Sequence, residues 1–163
     1  MPNDSPQNPP LLTGHAAWAA LATPPPGISF AREEGRLAPA EFIAVVRASG
    51  LGRPVNDPAR MARMLAGANL VVTARDAAGR LAGVARSLSD FSYACYLSDL
   101  CVDPAFEGRG IGRALIAETK RIIGAECMLL LLSAPKPMSW YPKLGMERVP
   151  NGFIIRRDDP PVY

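Results

Sequence analysis

Histidine is nearly absent from this sequence. His15 is the only one among 163 residues, and a lone histidine in a proline-rich stretch reads as a solvated side chain, not a catalyst. Cysteine is scarce too: Cys95, Cys101 and Cys127 are an odd number with no close pair. That argues against a disulfide framework or a zinc site. All three read as small core residues, and a cysteine nucleophile is set aside. No apolar run is long enough to span a bilayer. No basic run exceeds a pair, so the clustered patch a nucleic-acid partner needs is missing. No basic leader with an apolar stretch opens the chain, and the reduced cytoplasm is the expected location. No internal repeat is visible.

What is present suits one globular domain with a buried core: 48% hydrophobic residues, 20% charged, and a formal net charge of +3. Such a mild positive excess favours an anionic ligand. Residues 1–26 carry Pro2, Pro6, Pro9, Pro10, Pro24, Pro25 and Pro26 and are expected to form a loosely docked arm, with a short helix at Ala16–Leu21 anchored by Trp18. The domain proper is expected over residues 27–163.

Within it, the pattern predicts a strand at Ile28–Arg32, a helix from Pro39, and a second helix capped by Asp57 with Pro58 behind it. Strands follow at Leu70–Ala74, Leu81–Leu88 and Tyr93–Val102. A helix runs over Gly110–Ile123, and Met128–Ser133 reads as a buried strand. A short helix spans Met138–Leu144, and Met146–Val149 pairs with Phe153–Arg157 around Pro150-Asn151-Gly152. This order predicts an α/β (α+β) fold: a mixed, mostly antiparallel sheet of about six to seven strands with helices on both faces.

The segment Val102-Asp103-Pro104-Ala105-Phe106-Glu107-Gly108-Arg109-Gly110-Ile111-Gly112-Arg113 is the most informative. A strand ends, three glycines alternate through a loop, and a helix begins. The first N–H groups of a helix lack internal acceptors, and the helix dipole makes that end positive. Glycines let several amides converge on one phosphate. The spacing alone leaves a ligand-free helix entry open. A dinucleotide frame is broken by Arg113, and no Gly-Lys-Ser/Thr follows to make a Walker loop.

With Val102-Asp103-Pro104 before it, this loop resembles the acyl-CoA loop of the GNAT superfamily of N-acetyltransferases, Gln/Arg-x-x-Gly-x-Gly/Ala; Glu107 stands in the Gln/Arg position. Trp140-Tyr141-Pro142-Lys143-Leu144-Gly145-Met146 resembles the superfamily's Phe-Tyr-x-x-x-Gly-Phe segment. The element order also agrees from about Gly27 to Arg157. The resemblance implies a splay between Leu97–Val102 and Met128–Ser133 that receives pantetheine. Leu100, Cys101, Val102 and Ser133 would line it, with strand-like hydrogen bonds to the cofactor. Glu107, Gly108, Arg109, Gly110, Ile111, Gly112 and Arg113 would hold the pyrophosphate of acetyl-CoA. Glu107 is expected to contribute its backbone, its carboxylate free to pair with Arg109 or Arg113.

The resemblance also implies transfer of an acetyl group to a primary amine by direct attack, with Tyr141 as the general acid and Asp99 as the leading carboxylate for the base. The alternative is an acyl-CoA-binding module without catalysis. The Gly50–Pro54 link would form one wall of the acceptor site, and Asp90, Phe91 and Tyr93 are expected to meet the acceptor, a small molecule or a protein amine. No metal is called for, and a homodimer is compatible with similar proteins.

Overall fold

The computed structural model describes residues 10–158. Pro2, Pro6 and Pro9 of the expected arm, and residues 159–163 of the expected domain, lie outside the described residues. The elements are α1 (His15–Ala19), β1 (Ile28–Arg32), α2 (Pro39–Ser49), α3 (Pro58–Ala66), β2 (Leu70–Asp76), β3 (Leu81–Ser89) and β4 (Ala94–Val102). A 3-10 turn (Pro104–Phe106) follows, then α4 (Ile111–Ile123), β5 (Met128–Leu130) and α5 (Trp140–Lys143).

Local chemistry accounts for most boundaries. Pro39 and Pro58 open α2 and α3, where a missing N–H costs nothing. The Asp57 carboxylate accepts the Arg60 N–H at 2.9 Å, satisfying one of the helix's orphan donors. Asp76 Oδ1 accepts from Ala78 and Arg80 and shapes the β2–β3 turn. Asp90 Oδ1 accepts from Ser92, Tyr93 and Ala94 and shapes the β3–β4 turn.

The strands form one sheet in the order β1-β2-β3-β4-β5, antiparallel except for the parallel β4–β5 pair. Each face is covered. Leu70, Val72 and Leu97 pack with Leu115 and Ile116 of α4 and with Trp18. Val71, Val84 and Cys101 pack with Phe42, Val46 and Met61 of α2 and α3. Alternation along β2 sends neighbouring side chains to opposite layers. In β4 the count is interrupted: Arg86 lies opposite Asp99 and Ser87 opposite Leu97, leaving Ser98 as an extra residue. This bulge explains why Leu97 and Cys101, four residues apart, face different layers.

The fold class is as expected, with three differences in detail. Among the described residues the sheet has five strands, not six or seven. The expected buried strand Met128–Ser133 is an edge strand of three residues, with Met128 and Leu132 exposed. The expected pair Met146–Val149 and Phe153–Arg157 does not form. These residues find no second layer to bury against: Phe153 and Ile155 are both 100% exposed, and a strand pair without a buried face gains too little to offset its ordering. Residues 10–22 depart from the loose arm as well. Trp18 sits in the main core, 8% exposed, with Leu12, Leu21 and Ala22 packed around it.

Candidate functional site

β4 and β5 pair through only three positions, Ala94–Met128, Cys95–Leu129 and Tyr96–Leu130. β5 then ends, while β4 continues to Val102, so from Leu97 onward this edge of β4 has no neighbouring strand among the described residues. A cavity of about 920 Å³ opens there. Its walls are Leu100–Val102, Phe106–Gly108, Gly110–Arg113, the α2–α3 link Ser49–Gly52, the segment Ala134–Pro137, and Trp140 with Tyr141. The α2–α3 link was an expected wall. Phe106 and Ala134–Pro137 were not foreseen; the Pro135-Lys136-Pro137 run, which stops a strand abruptly, is the one sequence feature that could have flagged the latter.

The glycine loop presents open donors to this cavity. Asp103 caps the 3-10 turn by accepting the Ala105 N–H at 2.9 Å, and the Glu107 N–H bonds Pro104 O at 3.2 Å. The next hydrogen-bonded amide is that of Ala114, which bonds Gly110 O at 3.1 Å. Among the described residues, the amides from Gly108 to Arg113 meet no acceptor. Gly108 (φ 74°) and Gly110 (φ 79°) hold left-handed conformations that turn these donors together. The positive end of the thirteen-residue helix α4 lies behind them.

Two expectations about this loop change. The Glu107 amide is already taken, so the open donors begin at Gly108, and Glu107 pairs with neither Arg109 nor Arg113 among the described residues. Arg109 turns away. Its guanidinium donates to Pro26 O at 2.9 Å and lies over the Phe106 ring at 5.6 Å, which ties the start of β1 to the loop.

Tyr141 lines the cavity, half-buried, with its ring edge-on to Trp140 at 5.1 Å. Burial pushes its phenol above the ordinary tyrosine value of 10.0. Among the described residues nothing hydrogen-bonds its hydroxyl, so the proton is available for donation. Trp140 in turn packs on the start of α4: a Cβ at Gly112 would stand 3.3 Å from its ring.

Asp99 does not meet the expectation of a proton acceptor. Its side chain is fully buried, and its two oxygens are taken by Arg53 Nε and Arg86 Nε. Arg53 also donates to Ser98 O at 2.6 Å and Gly52 O at 2.7 Å. Arg86 donates to Ser98 Oγ and to Met64 O, both at 2.9 Å. The carboxylate therefore staples the cavity wall and the end of α3 to the β4 bulge, with its lone pairs spent on cations.

Ser133 is not on the cavity wall; its hydroxyl donates to Ala134 O at 2.6 Å, and the wall begins one residue later. Asp90, Phe91 and Tyr93 sit at the β3–β4 turn, the opposite end of β4 from the cavity. Asp90 is occupied as a turn cap, and its three backbone donors lower its pKa. It borders a separate hollow of about 430 Å³. Phe91, at φ 57°, lies beneath the Arg32 guanidinium at 5.8 Å. The expected acceptor residues are thus not brought together with Tyr141. Cys101 lies in the cavity wall, but burial and the nearby Asp99 charge push its thiol up to about 12, which leaves no thiolate nucleophile at neutral pH.

A family model described as an acetyltransferase (GNAT) domain matches residues 66–148, half of the chain, including β4, the glycine loop and α5. The histone acetyltransferase TAP1 of Glycine max is 33% identical over 76 residues, 45% of this chain and 33% of that protein. The N-acetyltransferase ycf52 of Pyropia yezoensis is 32% identical over 84 residues, 50% of this chain and 48% of that protein. The matched stretch thus spans a third to a half of these relatives. Among solved structures, a candidate acetyltransferase from Deinococcus radiodurans R1 aligns with a TM-score of 0.65 at 25% identity, covering 81% of this chain and 90% of its own. The aminoglycoside N-acetyltransferase AAC(6')-Iy, solved with CoA, aligns with a TM-score of 0.60 at 18% identity over 81% of this chain and 95% of its own, a likeness of fold alone.

Proposed function

The chain belongs to the GNAT acetyltransferase family, and from that premise we propose that it transfers an acetyl group from acetyl-CoA to a primary amine by direct attack, with Tyr141 as general acid. The observation that carries this reading is the run of unpaired amides from Gly108 to Arg113 at the cavity wall. Six amides ahead of a positive helix end suit a pyrophosphate. The open edge of β4 beyond Leu97 suits an extended, amide-bearing chain such as pantetheine. Arg113 and Lys136 add positive charge along the wall. Glu107 is the one ill-fitting group, since its carboxylate shares that wall with the phosphate donors.

When bound, acetyl-CoA supplies the thioester. The chain's residues would hold and orient it: the loop amides would take the phosphate end and the open edge of β4 the arm. As the amine nitrogen bonds the acyl carbon and the carbon–sulfur bond breaks, Tyr141 would give its proton to the sulfur, and the proton shed by the nitrogen would pass to solvent, from which the phenol is restored. A phenol whose pKa is raised by burial stays protonated at neutral pH and serves as the acid, not the base. Asp99 acts at one remove, through Arg53, by setting the Ser49–Gly52 wall. The acceptor is an amine of a small molecule or a protein. Names among the similar proteins include both histone and aminoglycoside acetyltransferases, which leaves that choice to experiment.

The sequestered Asp99 favours one second reading, an acyl-CoA-binding module without catalysis. Both readings predict a higher melting temperature with acetyl-CoA than with NAD or ATP. Only the first predicts release of free thiol from acetyl-CoA with a panel of amines. Stabilisation by NAD and not by acetyl-CoA would sink both.

A further inference from the structure

The helix that carries Tyr141 cannot hold its own position. α5 has four residues, no side-chain cap from Ser139 and no buried residue; a single turn of that kind is not stable alone. Its placement must come from a neighbour, and the N-terminal segment supplies one. The Leu12 N–H donates to Gly145 O at 3.0 Å, and the Trp18 indole N–H donates to Leu12 O at 3.1 Å. Trp18 itself is fixed in the core against α4.

Gly145 closes the connection. Its N–H bonds Pro142 O at 3.0 Å, and the Met146 N–H beside it bonds Tyr141 O at 3.2 Å. The position is shaped for the strap: φ is +87°, and a Cβ there would stand 2.9 Å from Leu12 Cγ and 3.0 Å from Leu12 N. Only glycine lets the two segments touch.

We propose that the segment from Pro10 to Trp18 is a strap that fixes α5 and thereby aims the Tyr141 hydroxyl into the cavity, with Leu12, Trp18 and Gly145 as positioning residues. The catalytic part of this inference rests on Tyr141 being the acid; the mechanical part does not. The strap approaches from outside the cavity wall, so its loss should affect turnover more than cofactor binding.

The test compares the full chain, a variant lacking residues 1–13, Tyr141→Phe, and the two changes combined. Three quantities are read: thiol release from acetyl-CoA with the best amine of the panel, the acetyl-CoA Kd by calorimetry, and trypsin cleavage at Lys143–Leu144. Removing the strap is expected to lower kcat at least tenfold, leave Kd within twofold, and speed cleavage after Lys143 at least tenfold relative to other sites. Tyr141→Phe should then cost less in the shortened protein than in the full chain. Unchanged kcat and unchanged cleavage in the shortened protein would overturn the strap. So would a Tyr141→Phe loss that is clear in the full chain and equally large in the shortened protein, which would make the segment merely structural. If Tyr141→Phe is silent in the full chain while cleavage still rises, the strap stands and the acid assignment falls. Should the shortened protein not fold, Leu12→Pro, which removes the single N–H that Gly145 accepts, is read against the same outcomes.

Discussion

Two ionisable side chains at the cavity answer to different physics, and each carries a prediction. Tyr141 is half-buried and its phenol is pushed above its ordinary value by desolvation. The acid form therefore predominates at neutral pH, and the alkaline fall in kcat should lie above the position an ordinary tyrosine would give it. Tyr141→Phe should remove this alkaline limb and lower kcat by about 10²-fold, the lower range for a general acid. The sign for stability is the same: a raised folded-state pKa stabilises below the unfolded value and is lost as pH rises through the folded one. Glu107 stands on the cavity wall that carries the unpaired amides proposed to hold phosphate. Replacing it with Gln removes a like charge at an exposed distance, a gain of about 1 kcal/mol in water. Acetyl-CoA should bind about fivefold more tightly to Glu107→Gln at low salt, with the gain shrinking as salt is added. Calorimetry at two ionic strengths checks both parts. Asp99 shows what sequence alone could not supply. An aspartate in an apolar strand announces a partner, but not which partner. The bulge at Ser98 turns Asp99 toward Arg53 and Arg86, 46 and 13 residues away in sequence. Asp99→Asn leaves two cations with weakened pairing and should cost about 3 kcal/mol of stability, as broken buried pairs do, measured by urea unfolding.

At the scale of elements, the readable signals were those written in local chemistry. Asp57-Pro58 marks a helix start, Asp76 and Gly79 mark a turn, and the glycine loop marks a strand passing into α4. Each involves atoms within a few residues, so the sequence carries it. Asp57→Ala removes the cap of α3 and should cost about 1 kcal/mol, with kcat unchanged because Asp57 touches neither cavity nor strap; thermal melts and steady-state assays check it. Signals that depend on distant partners are not legible in this way. The run Met128–Leu132 is apolar enough for a central strand, yet it lies at an edge. Hydrophobicity does not distinguish an edge from a centre when no later strand arrives to cover it. Asp90, Phe91 and Tyr93 have suitable chemistry for an acceptor, but they occupy the wrong end of β4. The nine residues of that strand span about 30 Å at ~3.3 Å each, so one hairpin holds two remote ends. The glycine loop and the Trp140-Tyr141 segment, 25 or more residues apart, line one cavity, because β5 returns the chain parallel to β4 and brings α5 back to the loop.

The whole molecule leaves an apolar surface that neither the core nor the site explains. Phe153 and Ile155 are each 100% exposed, and Ile154 is 58% exposed. In an isolated chain such side chains contribute nothing to folding, and their replacement is expected to change stability by less than about 0.5 kcal/mol. In a homodimer, the assembly considered from sequence, they would be covered, and the same replacement would break the assembly. The double substitution Phe153→Ser with Ile155→Ser separates the two. For the chain as a self-sufficient unit, the expected result is an unchanged urea midpoint, an unchanged sedimentation coefficient and improved solubility. A shift of the midpoint that grows with protein concentration in the parent, and vanishes in the double variant, would mean that the C-terminal segment folds only against a second copy. The strand pair that the sequence pattern suggested at Phe153–Arg157 would then form between chains, because a strand stabilises only where another surface removes its apolar face from water.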